Sequence, residues 1–288
     1  MQTYILFDIG GTKTRVAVST DLQSFKVEKF DTPASYAEGI AAITEAVRTL
    51  NPATPITLVA GGIRGELNAT KTELVSEKIL TDWVDKPLAK DLEAAFVAPI
   101  LLRNDAEVAA LGEASFGAGR GYSRISYHTV STGVGGALVS EGKVIATHND
   151  LVGGPHTIED QISGTALEQQ RGMKPYEIPQ SDPVWNVLAE KLAHALVNVV
   201  TAWSPDAIVL GGSMIVGDPR ILLADITRHT TELLPEGVAC PAIVDASLKD
   251  EAGLYGAMAV LATLEQSTNQ MKGTWTNGLF RYIAGFFK

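Results

Sequence analysis

Four stretches carry glycines and polar side chains at spacings suited to phosphate and hydroxyl chemistry. The first is Asp8-Ile9-Gly10-Gly11-Thr12-Lys13-Thr14-Arg15. Paired glycines let backbone N–H groups approach an anion closely, Thr12 and Thr14 add hydroxyl donors, and Asp8 offers a carboxylate for a metal ion. Taken alone, Gly10-Gly11 serves equally as a tight hairpin. The second stretch is Arg103-Asn104-Asp105, just ahead of apolar residues at helical spacing from Ala106 to Phe116. Asn104 or Asp105 there can simply be an N-cap. A carboxylate at that point is also held ionised by the helix dipole and can take a proton from a bound hydroxyl. The third, Ser131-Thr132-Gly133-Val134-Gly135-Gly136, is another Thr-bearing glycine hairpin, and two such hairpins suit the grip of one polyphosphate as well as they suit two plain turns. In the fourth, Gly153-Gly154-Pro155-His156 precedes Glu159-Asp160. His156 and Glu159 suit a polar ligand or ordinary hydrogen-bonded structure, while one histidine makes no metal site.

These residues need elements to place them. Strand-like runs from Tyr4 to Ile9 and from Arg15 to Ser19 flank the first glycine pair, and Phe25 to Phe30 supplies a third strand. The spacing of Tyr36, Ile40, Ile43 and Val47 predicts a helix from Tyr36 to Leu50. Pro55 to Ala60 reads as a strand ending at Gly61-Gly62, followed by Arg64-Gly65, and ligands sit at such strand ends in α/β sheets. A helix from Pro87 to Phe96 and a strand from Ala98 to Leu102 complete an α/β lobe. Gly117, Gly119 and Gly121 form a joint, so residues 1–117 are expected as a small lobe, 118–251 as a large one, and 252–288 as a returning helix with an aromatic tail. In the large lobe, strands from Ile125 to Val130 and Ala137 to Ser140 flank the second hairpin. A long helix follows Ser181-Asp182-Pro183, with Val184, Leu188, Leu192, Leu196, Val199 and Trp203 as its core stripe and His194 as a structural residue. Ala207 to Leu210 is a buried strand reaching Gly211-Gly212, where a base or ribose can lie against bare backbone. Pro219 to Leu234 reads as helical, and Ala252 to Leu264 carries Gly253 and Gly256, small enough for close helix approach.

At 288 residues the chain exceeds the usual size of one domain, which is consistent with two lobes. Its formal charge of −10 disfavours non-specific nucleic-acid binding, so a small anionic ligand needs local donors. The lone Cys240 rules out an intrachain disulfide and a cysteine-based zinc cage within one chain. With no leader-like start and no apolar run of membrane-spanning length, a cytoplasmic protein is the expectation. Trp275, Phe280, Tyr282, Phe286 and Phe287 crowd the tail, whose residues 272–288 are read as a latch on this chain or a dimer mate in preference to a membrane-surface helix.

Taken together, these motifs, with Ala109-Ala110-Leu111-Gly112-Glu113, Ile208-Val209-Leu210-Gly211-Gly212 and Glu251-Ala252-Gly253-Leu254-Tyr255-Gly256-Ala257, resemble the ROK family of sugar kinases and repressors from residue 3 to about 264. The resemblance implies an α/β, actin-like ATPase (ribonuclease H-like) fold with two lobes around a cleft, usually as a homodimer. It implies that Asp8 holds Mg²⁺ through water, that Gly10, Gly11, Thr12, Lys13, Thr132 and Gly133 line the phosphates of ATP, and that Gly211 and Gly212 face the adenosine. By the same resemblance Asp105 is the general base on a sugar hydroxyl, with Gly65, Asn104, His156 and Glu159 as further sugar-binding positions. Two departures stand out. The family's Glu-x-Gly-His is here Gly153-Gly154-Pro155-His156, and its cysteine-rich zinc loop is absent, so no zinc site is expected.

The expected activity is therefore ATP-dependent phosphorylation of a hexose, glucose first, with fructose, mannose or an N-acetylhexosamine as alternatives. A non-catalytic sugar sensor or regulatory subunit is the rival reading, and polyphosphate is the alternative donor. A repressor of the family's kind is not expected, since the chain begins at the first strand of the kinase pattern.

Overall fold

The computed structural model describes residues 2–147 and 158–271. His156 and the aromatic tail lie outside the described residues. Two compact units result. One takes in the chain up to Val108 and returns at Gly253; the other is Ala109–Ala252.

In the first unit, β1 (Tyr4–Ile9) and β2 (Lys13–Ser19) form the expected hairpin, and β3 (Lys26–Asp31) adds an antiparallel edge. The helix α1 (Tyr36–Leu50) has the bounds its apolar spacing predicts and is capped by Ser35, whose side chain accepts from the Glu38 amide. Next comes β4 (Leu58–Ile63), which runs through Gly61-Gly62 instead of stopping there. A short ribbon, β5 (Glu66–Leu67) with β6 (Leu74–Ser76), was not legible in the sequence. After α2 (Leu88–Phe96), β7 (Ile100–Asn104) leads without a break into α3 (Asp105–Ser115). The sheet order is β3-β2-β1-β4-β7, with β1, β4 and β7 parallel. Ile5, Leu6, Phe7 and Ile9 of the central strand β1 are buried, whereas β3 alternates between exposed and half-buried positions, as an edge strand covered less fully does.

The second unit repeats this plan. β8 (Arg124–Val130), β9 (Val134–Ser140) and β10 (Lys143–Thr147) form the antiparallel part, and the short helices α4 (Glu159–Ile162) and α5 (Gly164–Arg171) follow. The helix α6 (Val184–Trp203) buries Leu188, Leu192, Leu196, Val199 and Trp203 as expected. His194, expected within that stripe, is on the exposed face instead, because it falls between two buried turns of the 3.6-residue repeat. β11 (Ala207–Gly211), α7 (Ser213–Val216), α8 (Leu223–Leu233) and β12 (Ala242–Asp245) complete the sheet, in the order β10-β9-β8-β11-β12. The helix at Pro219 to Leu234 is shorter than its spacing suggests, beginning at Leu223. Finally α9 (Ala252–Met271) returns to the first unit, where Tyr255 meets Phe25 edge-on at 5.0 Å. No helix among the described residues is long and apolar enough to cross a membrane.

Glu113, near the end of α3, is fully buried. Its carboxylate accepts from the amides of Ala118 (2.8 Å), Ser247 (3.2 Å) and Leu248 (2.8 Å) and from the Ser247 hydroxyl at 3.3 Å. One side chain thus fixes two loops of the second unit. Glu113→Ala strands these buried donors and is expected to cost about 3 kcal/mol. Glu113→Gln, which keeps one acceptor oxygen, should cost less. Thermal unfolding of the two variants beside wild type checks the order; equal melting temperatures for wild type and Glu113→Ala would refute the clamp.

Candidate active site

Because β1, β4 and β7 are parallel, their carboxyl ends share one edge: Asp8 lies beside Gly62 and Gly62 beside Arg103, with Ile9, Ile63 and Asn104 in the next row. Ligand-binding residues collect at such edges. The turn between β1 and β2 is closed by a bond from the Gly10 amide to the Lys13 carbonyl (3.0 Å). It is braced from β3's end by Thr32, whose amide donates to the Thr12 carbonyl (2.9 Å) and whose hydroxyl donates to the Gly10 carbonyl (2.8 Å). Thr12 is exposed at the tip. Lys13 is ion-paired with Asp31 on the open edge of the hairpin.

Asp8 is mostly covered, with the Arg15 guanidinium 3.7 Å from its Oδ2. The start of α9 presses on it: a Cβ on Gly253 would stand 2.7 Å from the Asp8 Cγ. A single hard oxygen donor, already balanced in part by one guanidinium, suits a hydrated Mg²⁺ that keeps its inner waters. In that donor chemistry the residue fits the ion the resemblance implies.

Asn104 and Asp105 occupy the β7–α3 junction. Both side chains accept from the Ala106 amide, at 3.0 and 2.9 Å; Asn104, just before α3, is in the N-cap position that the sequence offers to one of the two, while Asp105 is the first residue of the helix. Asn104 also donates from Nδ2 to the Gly65 carbonyl at 2.9 Å. Gly65 has φ +103°, and a Cβ there would meet Glu77 Oε2 and the Ser76 carbonyl at 2.9 Å, so only glycine fits. Asn104 and Gly65 are thereby held together beside Asp105.

The Asp105 carboxyl is pushed above the usual carboxylate range, chiefly by burial, although the residue retains some accessible surface. The Arg64 guanidinium and the Ala106 amide pull it down, and the Glu77 carboxylate adds to the rise. Helix-start stabilisation, the effect expected from sequence, is therefore outweighed. A buried carboxyl of raised pKa is a stronger base than an exposed aspartate once ionised.

Two neighbours escaped the sequence reading as site residues. Arg64 lies directly after β4, and its Nε is 3.0 Å from Glu77 Oε1 without hydrogen-bond alignment. The Glu77 side chain is only 4% exposed. Arg64 had a signal, its place at a strand end; Glu77 had none, because the fold of the segment after β6 alone brings it there.

In the second unit the β8–β9 turn is closed by a bond from the Ser131 amide to the Gly133 carbonyl (2.8 Å). Its outer side is occupied by α5: the Gly164 amide donates to the Ser131 carbonyl (2.6 Å) and the Thr165 hydroxyl to the Thr132 carbonyl (2.8 Å). Glu159 joins this turn, its Oε2 accepting from the Val134 amide at 3.0 Å. Gly212 is packed so closely that a Cβ would stand 2.3 Å from the Val130 carbonyl, which brings the Gly211-Gly212 strand end to the base of the same hairpin. The first unit therefore gathers Asp8, Gly10, Gly11, Thr12, Gly65, Asn104 and Asp105, and the second gathers Thr132, Gly133, Glu159, Gly211 and Gly212. His156, expected at the sugar, is outside the described residues.

The chain is 26% identical to a glucokinase of Halalkalibacterium halodurans over 326 aligned positions, covering 92% of this chain and 96% of that protein. Among solved structures it is similar to an ROK hexokinase from Thermus thermophilus, with a TM-score of 0.76 and 26% identity over 92% of this chain and 100% of that one. It also shares its fold with an ROK family glucokinase from Streptomyces griseus solved in complex with glucose and AMPPNP, with a TM-score of 0.73 and 24% identity over 90% and 98% of the two chains. These neighbours have the actin-like ATPase arrangement of sheets and helices that the resemblance implies. A family model described as "ROK family" matches residues 4–263, nearly the whole of the two repeated sheets and the helix that returns from the second to the first, and on that extent the chain belongs to the ROK family.

Proposed function

We propose that this ROK family sugar kinase transfers the terminal phosphoryl group of ATP to a hydroxyl of a hexose, with glucose as the first candidate. The observation that carries the reading is Asp105: a hydrogen-bonded, half-buried carboxyl of raised basicity at the same sheet edge as the glycine turn Gly10-Gly11-Thr12. Asp105 accepts the proton of the sugar hydroxyl as that oxygen bonds to phosphorus and the bond between the phosphoryl group and ADP breaks. Asn104 and Gly65, joined by their hydrogen bond, hold a neighbouring hydroxyl. In the first unit the amides of the Gly10-Gly11 turn take phosphate oxygens and Lys13 lends charge at the rim; in the second the Thr132-Gly133 turn takes phosphate oxygens, Gly211 and Gly212 face the adenosine, and Glu159 and His156 are sugar contacts. Asp8 would hold Mg²⁺ through water, and that ion supplies neutralising charge to the phosphates when bound. Positioning matters as much as proton removal, since phosphoryl transfer requires little covalent chemistry from the protein. The same reading takes the protein as a cytoplasmic homodimer, which light scattering on the purified chain tests for assembly.

ADP release with MgATP across glucose, fructose, mannose and N-acetylhexosamines is the deciding measurement. Sugar-dependent turnover, highest with glucose, is expected. Calorimetric sugar binding with no turnover on any hexose would replace the kinase by a sensor, and turnover with polyphosphate in place of ATP would replace the donor.

A further inference from the structure

We infer that Arg64 is a phosphate-binding catalytic residue, a guanidinium anchored by Glu77 that meets the transferring phosphoryl group between the glycine turn and Asp105. This inference rests on the sugar kinase reading above and adds to it a cation that the reading lacks.

The backbone of Arg64 is fixed first, its amide donating to the Ile9 carbonyl at 3.0 Å. Its side chain then lies over the phosphate turn: the Cδ and Nη1 stand 3.0 and 3.1 Å from where a Cβ on Gly11 would be. The glycine at position 11 is thus what admits the guanidinium to the turn. On its other side Nε faces Glu77 Oε1, and that same oxygen accepts from the Ile79 amide at 2.9 Å. A carboxylate as covered as Glu77 is costly unless a cation balances it, and the cation it has is Arg64. The pair therefore holds a guanidinium beside the turn before any ligand arrives. A guanidinium already placed there is suited to bidentate contact with phosphate oxygens and loses less entropy in making it than a free side chain would. Its charge already reaches Asp105, where it opposes the effect of burial. In the transfer step the new oxygen–phosphorus bond forms at the sugar, the bond to ADP breaks, the proton passes to Asp105, and negative charge on the equatorial oxygens is what Arg64 would balance.

Full-length wild type, Arg64→Met, Arg64→Lys and Glu77→Gln are compared in kinetics and in calorimetric titration with inorganic tripolyphosphate and with glucose. For Arg64→Met, kcat is expected to fall about 100–1,000-fold with the sugar KM within about threefold, and tripolyphosphate affinity to fall at least about tenfold with glucose affinity unchanged. Arg64→Lys should restore part of kcat, since it keeps charge without the planar fork. Glu77→Gln should lower kcat less than Arg64→Met does. If thermal unfolding shows that the methionine variant is not folded, the lysine variant carries the test, with about a tenfold loss of kcat at an unchanged melting temperature. Wild-type tripolyphosphate affinity in a folded Arg64 variant would overturn the inference, as would no tripolyphosphate binding by wild type. Should wild type release no ADP with any hexose, the kinase reading fails separately, and loss of tripolyphosphate binding in Arg64→Met would still support the phosphate contact.

Discussion

Replacing Asp105 by asparagine is expected to lower kcat by about 10²–10⁴-fold and, at neutral pH, to raise the melting temperature. Asparagine keeps an oxygen for the Ala106 amide and so preserves that hydrogen bond, but it has no carboxylate to accept a proton. The gain in stability follows from the direction of the pKa shift. The Asp105 carboxyl titrates higher in the folded chain than in the unfolded one, because burial disfavours its charge. Between those two values the folded state binds more protons, so the contribution of the group to stability is complete below the unfolded value and is lost as pH rises through the folded value. Once pH has passed the folded-state value, wild type carries an ionised carboxylate in surroundings that oppose it, and Asp105→Asn removes that cost. The difference in melting temperature should disappear on acidification below the ordinary carboxylate range. In wild type, kcat/KM should fall on the acid side at a pH above that range. A neutral-pH melting temperature no higher than wild type would mean that Arg64 fully compensates the burial.

Gly256→Ala is expected to be the most damaging single methyl in the first unit. A Cβ at position 256 would stand 1.6 Å from the Val108 carbonyl oxygen and 2.4 Å from its carbon. These are backbone atoms of α3, just after Asn104 and Asp105, and they cannot swing aside as a side chain can. Alanine ordinarily favours a helix interior by about 1 kcal/mol over glycine. Overpacking of a well-filled contact costs about 1–3 kcal/mol and more where backbone must move, so a net loss of at least about 2 kcal/mol is expected. The same displacement would lift α9 from Asp8, because Gly253 lies one turn earlier on that face. Thermal unfolding together with sugar-dependent turnover checks both effects. Wild-type values in the two assays would show that α9 shifts without consequence.

Much of this arrangement is legible in the sequence. The bounds of α1 follow from its apolar spacing and its Ser35 cap, and the junction of strand and helix at Asn104-Asp105 follows from the change of period there. The small residues at Gly253 and Gly256 signal a close approach, but only the fold names what they approach. Burial is the harder quantity to read. A helix start argues for an ionised Asp105, and nothing local reveals the surrounding protein that reverses the balance. Glu77 belongs to a polar stretch and is legible as a surface residue, yet the ribbon of β5 and β6 turns it inward toward Arg64. His194 errs in the opposite direction: its place amid an apolar helix suggests the interior, and a third of a turn puts it in solvent. Local pattern governs elements and caps, whereas the chemistry of a carboxylate depends on residues distant in the chain.

The order β3-β2-β1-β4-β7 recurs as β10-β9-β8-β11-β12, with a glycine turn between the first two strands of each set and a glycine pair in or after the fourth. At the end of the fifth strand the copies part company. β7 delivers Asn104 and then Asp105, while β12 ends at Asp245, whose Oδ2 accepts from Arg220 at 2.9 Å. The two sheets thus share a strand order and a glycine turn and differ in what surrounds the carboxylate at the end of the last strand. In the first sheet burial raises the pKa of Asp105, whereas in the second Arg220 pairs with Asp245.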